Sequence, residues 1–282
     1  MPTQLLLVPW DSGRRGERMG AGPDHLLRHG AASRLRGGGD VGADYVDSDS
    51  AFPTEAGTTF ELQRRVSLRV AEAVRAGQRP VVLSGNCGIA LGTISGLAHA
   101  GRKRIGVVWF DAHGEFNTPE TTTSGYLDGM GLAALTGLAW RSMTAQVPGY
   151  EPLAADRLLL AGTRDLDPPE AEVIARYGVP MLGAEELQRD PASLRGRLDA
   201  LAAHADELYV HVDPDVLDPD VARGNTFAPP GGLAPRQLLE ALAVVRERMP
   251  VAAVGIASFD PAADHNANVL RTLLDALGIL IA

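Results

Sequence analysis

Seven short runs rich in Val, Leu and Ile, at 5–10, 80–83, 105–110, 157–161, 179–182, 208–212 and 251–257, are separated by segments of helical period. This alternation constrains the fold more than any other feature of the chain. Apolar runs of that length without polar alternation predict strands buried on both faces. The clearest intervening helix is 61–75, where Leu62, Val66, Val70 and Val74 recur every four residues with arginines and glutamates on the other side. Further helices are predicted at 90–100, 169–177, 193–203, 234–248 and 267–280. Strands alternating with helices imply right-handed crossovers and a mostly parallel sheet covered on both faces, a three-layer α/β/α sandwich.

The alternation continues through all 282 residues, so one domain spanning 1–282 is the economical reading. The glycines 37–39 and the stretch 228–232 are expected to be loops, because strands and helices resume beyond each. With 26 basic against 35 acidic residues the formal net charge is −9, and no basic block exceeds Arg102-Lys103-Arg104. That balance lacks the electrostatic footprint of a nucleic-acid or membrane-surface binder, so neither is an expected partner. The longest uncharged apolar runs, such as 105–110 and 277–282, fall far short of the roughly 20 residues that span a bilayer. The first ten residues carry no basic side chain and too short an apolar stretch for a signal peptide, and the single cysteine, Cys87, cannot form an internal disulfide. A cytoplasmic protein is expected.

In open parallel sheets ligands bind beyond the carboxyl ends of the strands, so polar residues that immediately follow an apolar run are the first candidates. Asp111, His113, Glu115 and Asn117 follow the run 105–110 at alternate positions, a spacing that in extended chain aims all four one way. Asp213 and Asp215 follow 208–212 with the same spacing. Ser84-Gly85-Asn86-Cys87-Gly88 follows 80–83, and Ser258-Phe259-Asp260-Pro261 follows 251–257. Either acidic motif alone also reads as a turn or helix cap. Together, carboxylates and an imidazole from two strand ends predict a divalent-cation site, since buried carboxylates would otherwise repel and protonate.

The segments 111–125 (Asp111-Ala112-His113-Gly114-Glu115-Phe116-Asn117 and onward to Ser124-Gly125) and 213–219 (Asp213-Pro214-Asp215-Val216-Leu217-Asp218-Pro219) resemble the arginase, or ureohydrolase, family. The likeness extends to 12–23, 162–170, 231–233 and 258–261. It implies the arginase/deacetylase fold and a binuclear Mn(II) centre that hydrolyses a guanidino or amidino carbon with a metal-bridging hydroxide. By that resemblance Asp111 and Asp213 bridge two metals, and His113 and Asp215 are terminal ligands of the second. At the first metal Cys87 stands where a histidine is usual, Asn86 precedes it in place of aspartate, and Glu115 replaces an aspartate. A thiolate is a competent anionic ligand but a softer one, which tilts preference toward Zn or Fe. From composition alone Cys87 also reads as a small buried hydrophobe.

The resemblance further implies that Asn117, Thr122 and Ser124 hold the carboxylate of an amino-acid substrate, while Asp167, with Glu170 beside it, faces the α-ammonium. Such a clamp favours an α-amino acid over agmatine, which has no carboxylate. Asp167 and Glu170 also suit the start of a helix, and both roles can hold at once. At the reacting end, Ser258 occupies the position of the glutamate that pairs with guanidinium, and Asp128 that of the proton-shuttling histidine. Asp128 and Glu115 are the candidate catalytic groups. Cys87, Phe116, the triplet Gly125-Tyr126-Leu127 and His211 are similar to the branch of the family that hydrolyses Nω-hydroxy-L-arginine in D-cycloserine biosynthesis. His211 lies one residue deeper on the strand face of Asp213 and reads as a packed core histidine rather than a third ligand. The family implies a small-molecule amino-acid substrate and a homo-oligomer, trimer or hexamer. A catalytically impaired binding or regulatory protein and a mononuclear deacylase are the competing classes.

Overall fold

The computed structural model describes residues 1–36, 40–49 and 53–282. The predicted loop Gly37-Gly38-Gly39 lies outside the described residues. The strands are β1 (Thr3–Val8), β2 (Trp10–Asp11), β3 (Arg14–Arg15), β4 (Val41–Tyr45), β5 (Arg79–Ser84), β6 (Ile105–Phe110), β7 (Leu158–Ala161), β8 (Met181–Leu182), β9 (Glu207–Val212) and β10 (Val251–Ile256). Eight of them form one sheet in the order β4-β1-β5-β10-β9-β6-β7-β8, and every neighbouring pair in it is parallel. The other two, β2 and β3, make a small antiparallel hairpin.

Side chains on alternate sheet positions feed two separate cores, which is why the strands read as unbroken apolar runs. Leu6, Val82, Val107, Trp109, Tyr209 and Ala253 pack on one side with the helices Glu55–Arg75 and Ala90–His99. Leu5, Leu7, Val81, Val108, Val210 and Val254 pack on the other with Leu194–Ala202, Pro235–Arg248 and Asn268–Ile281. Leu62, Val66 and Val70 of the long helix are at most 2% exposed, each contributing about 1.5–3 kcal/mol of burial. No helix among the described residues is long and apolar enough to cross a membrane.

All seven predicted strands are present, and the sheet adds β4. Its sequence, Val41-Gly42-Ala43-Asp44-Tyr45, has neither an apolar run nor clean alternation, because it is an edge strand zipped to β1 and half exposed. Its Asp44 is held by Gln4 and Arg69. The long helix starts at Glu55, six residues before the predicted start, where Thr54 Oγ1 accepts the Gly57 amide at 3.1 Å. The helices Gly22–Arg28, Ala31–Leu35, Gly131–Leu135, Arg141–Thr144 and Ala184–Arg189 were not predicted, since two turns or fewer show no period.

Four strands, β5, β10, β9 and β6, lie side by side at the middle of the sheet. The segments leaving their carboxyl ends carry Cys87, Ser258, Asp213 and Asp111 respectively, so the topology brings four distant stretches of sequence to one rim. Gly85 lets the β5 segment pass under the N-terminal chain: a Cβ there would lie 2.3 Å from the Trp10 carbonyl oxygen.

Candidate metal centre

Asp111 follows β6 directly and is fully buried, its carboxylate accepting the Trp109 indole N–H at 2.9 Å and the His113 amide at 2.8 Å. Beyond it the chain does not stay extended. Glu115 sits at φ 58, in the left-handed region that costs a residue with a Cβ about 1–2 kcal/mol. Convergence of Asp111, His113 and Glu115 therefore comes from a turn, not from strand alternation. The second motif turns as well. Asp213 accepts the Asp215 amide at 2.8 Å and opens a 3₁₀ turn at Pro214–Val216, which swings Asp215 back toward β6. There Asp215 accepts the Ala112 amide at 3.0 Å and lies 3.1 Å from His113 Nδ1, which is 3.4 Å from Asp111.

Three groups of potential ligand atoms result, each within 4.8 Å of one another: Asp111, His113 and Glu115; Asp111, Asp213 and Asp215; and Cys87, Asp111 and His211. Asp111 belongs to all three. The Cys87 thiol donates to Asp213 Oδ2 at 3.1 Å and lies 3.3 Å from Ser258 Oγ, with Ser258 at φ 55. Asn225, whose part was not foreseen, fixes this corner by donating to Asp213 at 3.4 Å and to the Ser258 carbonyl at 3.1 Å.

A cavity of about 150 Å³ opens above these residues, its wall including His113, Glu115, Asp128, Asp213, Asp215 and Ser258. Asp128 is anchored in that wall: it accepts the amides of Cys87 (2.9 Å) and Gly88 (2.7 Å) and the Asn86 side chain (2.9 Å). At the rim Asn117 donates to Asp167 at 3.0 Å. Glu170 is buried and turned toward the chain, accepting the amides of Phe116 at 2.8 Å and Asp167 at 3.3 Å, so its helix-capping role is realised. Thr122, half-buried, and Ser124, exposed, lie 3.4 Å from each other and are not part of the cavity wall. The mouth carries an aromatic pair, Tyr126 and Phe227, with centroids 5.6 Å apart. Phe227 gave no sequence signal, being an isolated aromatic in a loop.

The arginase family model matches residues 2–278, nearly the whole chain. The chain belongs to the arginase family. Among curated relatives it is 34% identical to the arginase of Brevibacillus brevis, over 82% of this chain and 80% of that one. It is 28% identical to the arginase of Bacillus caldovelox, over 99% and 97%. The native structure of the Bacillus caldovelox arginase superposes with a TM-score of 0.91 at 27% identity, covering 100% of this chain and 98% of that one.

In this arginase-family chain the electrostatics ask for a cation. Among the described residues, His113 is the only basic side chain in the cavity wall. Burial, then the charge of Asp215, pushes Asp111 up to about 7. Burial, then neighbouring carboxylates, drives Glu115, Asp213 and the Cys87 thiol well above their ordinary values. Burial works against charge on His113 and Asp215 too, but hydrogen bonds prevail: those to Asp111 and then Asp215 raise the imidazole, and the bond from His113 holds Asp215 down at about 2. Glu115 Oε2 is buried with no hydrogen-bond partner among the described residues. An orphaned carboxylate oxygen inside a group of anionic donors is what a divalent cation satisfies, so the residues fit the metal that the family uses.

Proposed function

We propose that the protein is a metal-dependent amidinohydrolase that cleaves the guanidino carbon-nitrogen bond of an arginine-like L-amino acid, Nω-hydroxy-L-arginine or L-arginine. Water is consumed, and ornithine leaves with hydroxyurea or urea. The observation that carries this reading is the convergence of Asp111, His113, Glu115, Asp213, Asp215 and Cys87, four of which, His113, Glu115, Asp213 and Asp215, line one acidic cavity. Cys87, Asp111, Glu115 and Asp213 would hold a first cation, and Asp111, His113, Asp213 and Asp215 a second. Bound Mn(II), or Zn(II) or Fe(II) given the sulfur donor, supplies Lewis acidity and activates water at neutral pH.

The chain's own residues do the rest. Among the described residues the cavity wall contains no lysine or arginine, and Asp128, Asp165, Asp167 and Glu170 leave acid in excess of what a metal pair neutralises, which selects a cationic substrate. Asp167, backed by Asn117, faces the α-ammonium at the rim. Thr122 and Ser124, close together on the same loop, receive the carboxylate as the substrate enters. Ser258 in place of a glutamate leaves the guanidine without a direct anionic partner. That suits an N-hydroxyguanidine, a much weaker base than guanidine itself. Asp128, fixed by three donors and facing the cavity, carries the proton to the departing amine. The test is to load the protein with Mn(II), Zn(II) or Fe(II) and measure ornithine release from arginine and Nω-hydroxy-L-arginine, and agmatine consumption, in parallel. Turnover of agmatine alone, or of none of the three, refutes the assignment.

A further inference from the structure

Beneath Cys87, three side chains from adjacent strands form a buried polar layer. Trp109 on β6 and His211 on β9 are register partners whose rings stack with centroids 3.6 Å apart and planes 9° apart. The Tyr209 hydroxyl lies 3.0 Å from His211 Nδ1, and His211 Nε2 lies 3.0 Å from Cys87 Sγ. Room for that hydroxyl is made by Gly255, the partner of His211 on β10: a Cβ there would sit 2.0 Å from the Tyr209 oxygen. Tyr209 and His211 are each 1% exposed. His211 is thus packed in the core as its sequence position suggests, but its free edge is aimed at the sulfur.

The tautomer follows from the donors and acceptors present. A phenol this deeply buried needs an acceptor for its proton, and among the described residues His211 Nδ1 is the only hydrogen-bond partner of the Tyr209 side chain. Nδ1 therefore accepts. A buried imidazole with no carboxylate bonded to it stays neutral, so its single proton is on Nε2 and points at Cys87 Sγ. With Nδ1 occupied and Nε2 protonated, His211 has no lone pair to offer a cation.

We propose that Tyr209 and His211 form a positioning relay that holds Cys87 Sγ, through the Nε2–H bond, in the orientation in which it offers its lone pairs to the first cation. The relay rests on the reading of Cys87 as a ligand. Partners of this kind, one bond behind a ligand, typically change metal affinity 10- to 100-fold when removed.

The test titrates metal-free full-length protein with Co(II) and follows the sulfur-to-cobalt charge-transfer absorption, which reports Cys87 alone. Wild type should show the band and Cys87→Ser should not. His211→Phe and Tyr209→Phe should bind cobalt at the sulfur-reporting position about 10-fold or more weakly, with a shifted band and unchanged far-UV circular dichroism. Tyr209→Phe removes one oxygen and carries the test should His211→Phe fail to fold. Wild-type band position and affinity in the Tyr209 variant would overturn the relay while leaving Cys87 ligation standing. Tighter binding in Tyr209→Phe would also overturn it, since a freed Nε2 would then be ligating. A wild-type protein without the band would overturn Cys87 ligation, and the relay with it.

Discussion

Replacing Glu115 by Gln separates the two demands made on the acid cluster. Glu115 is 8% exposed, its Oε2 has no partner among the described residues, and burial, then the Asp111 charge, raises its pKa well above the ordinary value. For a carboxyl raised in the folded state, stability is fully present below the unfolded pKa and is lost as pH climbs toward the folded one. At pH 7 the metal-free protein carries that loss. Glutamine keeps the shape with no proton to take up, and its N–H groups face neighbouring acids, so Glu115→Gln should gain about 1–3 kcal/mol in metal-free protein at pH 7. The gain should shrink at pH 5. The same change removes a cation donor. One bound cation at 100 times its Kd adds about 2.7 kcal/mol. At roughly 2–4 °C per kcal/mol for a chain near this size, Mn(II) should raise the wild-type Tm by roughly 5–10 °C per cation, and the variant's by less. Urea denaturation in chelator and melting curves with and without Mn(II) measure both arms. A variant less stable than wild type in chelator, or one with an undiminished Mn(II) response, refutes the argument.

Asp167→Ala should raise KM for the amino-acid substrate about tenfold, the worth of about 1.4 kcal/mol, with kcat little changed, and leave an alkylguanidine lacking the α-ammonium unaffected; steady-state kinetics on the two substrates check this. Asp128→Ala should cut turnover at least tenfold, because the cavity loses its candidate proton carrier and the amides of Cys87 and Gly88 lose their acceptor. Undiminished turnover would discard the role. Gly85→Ala should destabilise the protein by about 2–3 kcal/mol in urea, because the backbone its Cβ would strike at the Trp10 carbonyl cannot rotate away.

The fold was legible where burial on two faces left a long apolar signal. Every central strand shows it, because β5, β10, β9 and β6 have helices on both sides. What stayed hidden lies at the margins. Strand β4 exists through its ladder to β1, whose paired residues lie 38 positions earlier, so no local pattern encodes it. The helix Glu55–Arg75 begins with Glu-Ala-Gly-Thr-Thr, a poor helical turn by propensity, stabilised by the Thr54 cap and by docking against the β5 segment, where Gln63 donates to the Gly88 carbonyl at 2.9 Å.

At the site, the identities of the donors were readable and the means of their convergence was not. Alternation in extended chain correctly grouped Asp111, His113 and Glu115, but the side chains meet because Glu115 adopts a left-handed backbone and Asp213 caps a 3₁₀ turn. Such conformations have no periodic signature, and they persist only where surrounding contacts over-determine them. Here those contacts are the Leu132 and Ala133 amides, which donate to the Glu115 carbonyl at 2.9 and 3.0 Å, and Asn225, which donates to the Ser258 carbonyl. The two strained residues are Glu115, in the acid cluster with Asp111 and His113, and Ser258, 3.3 Å from the Cys87 sulfur. Strain at Ser258 and at Glu115 thus sits on two of the segments that bring the donors together, the one beside the Cys87 sulfur and the one that carries Asp111 and His113, and these are the segments where a periodic reading has least to go on.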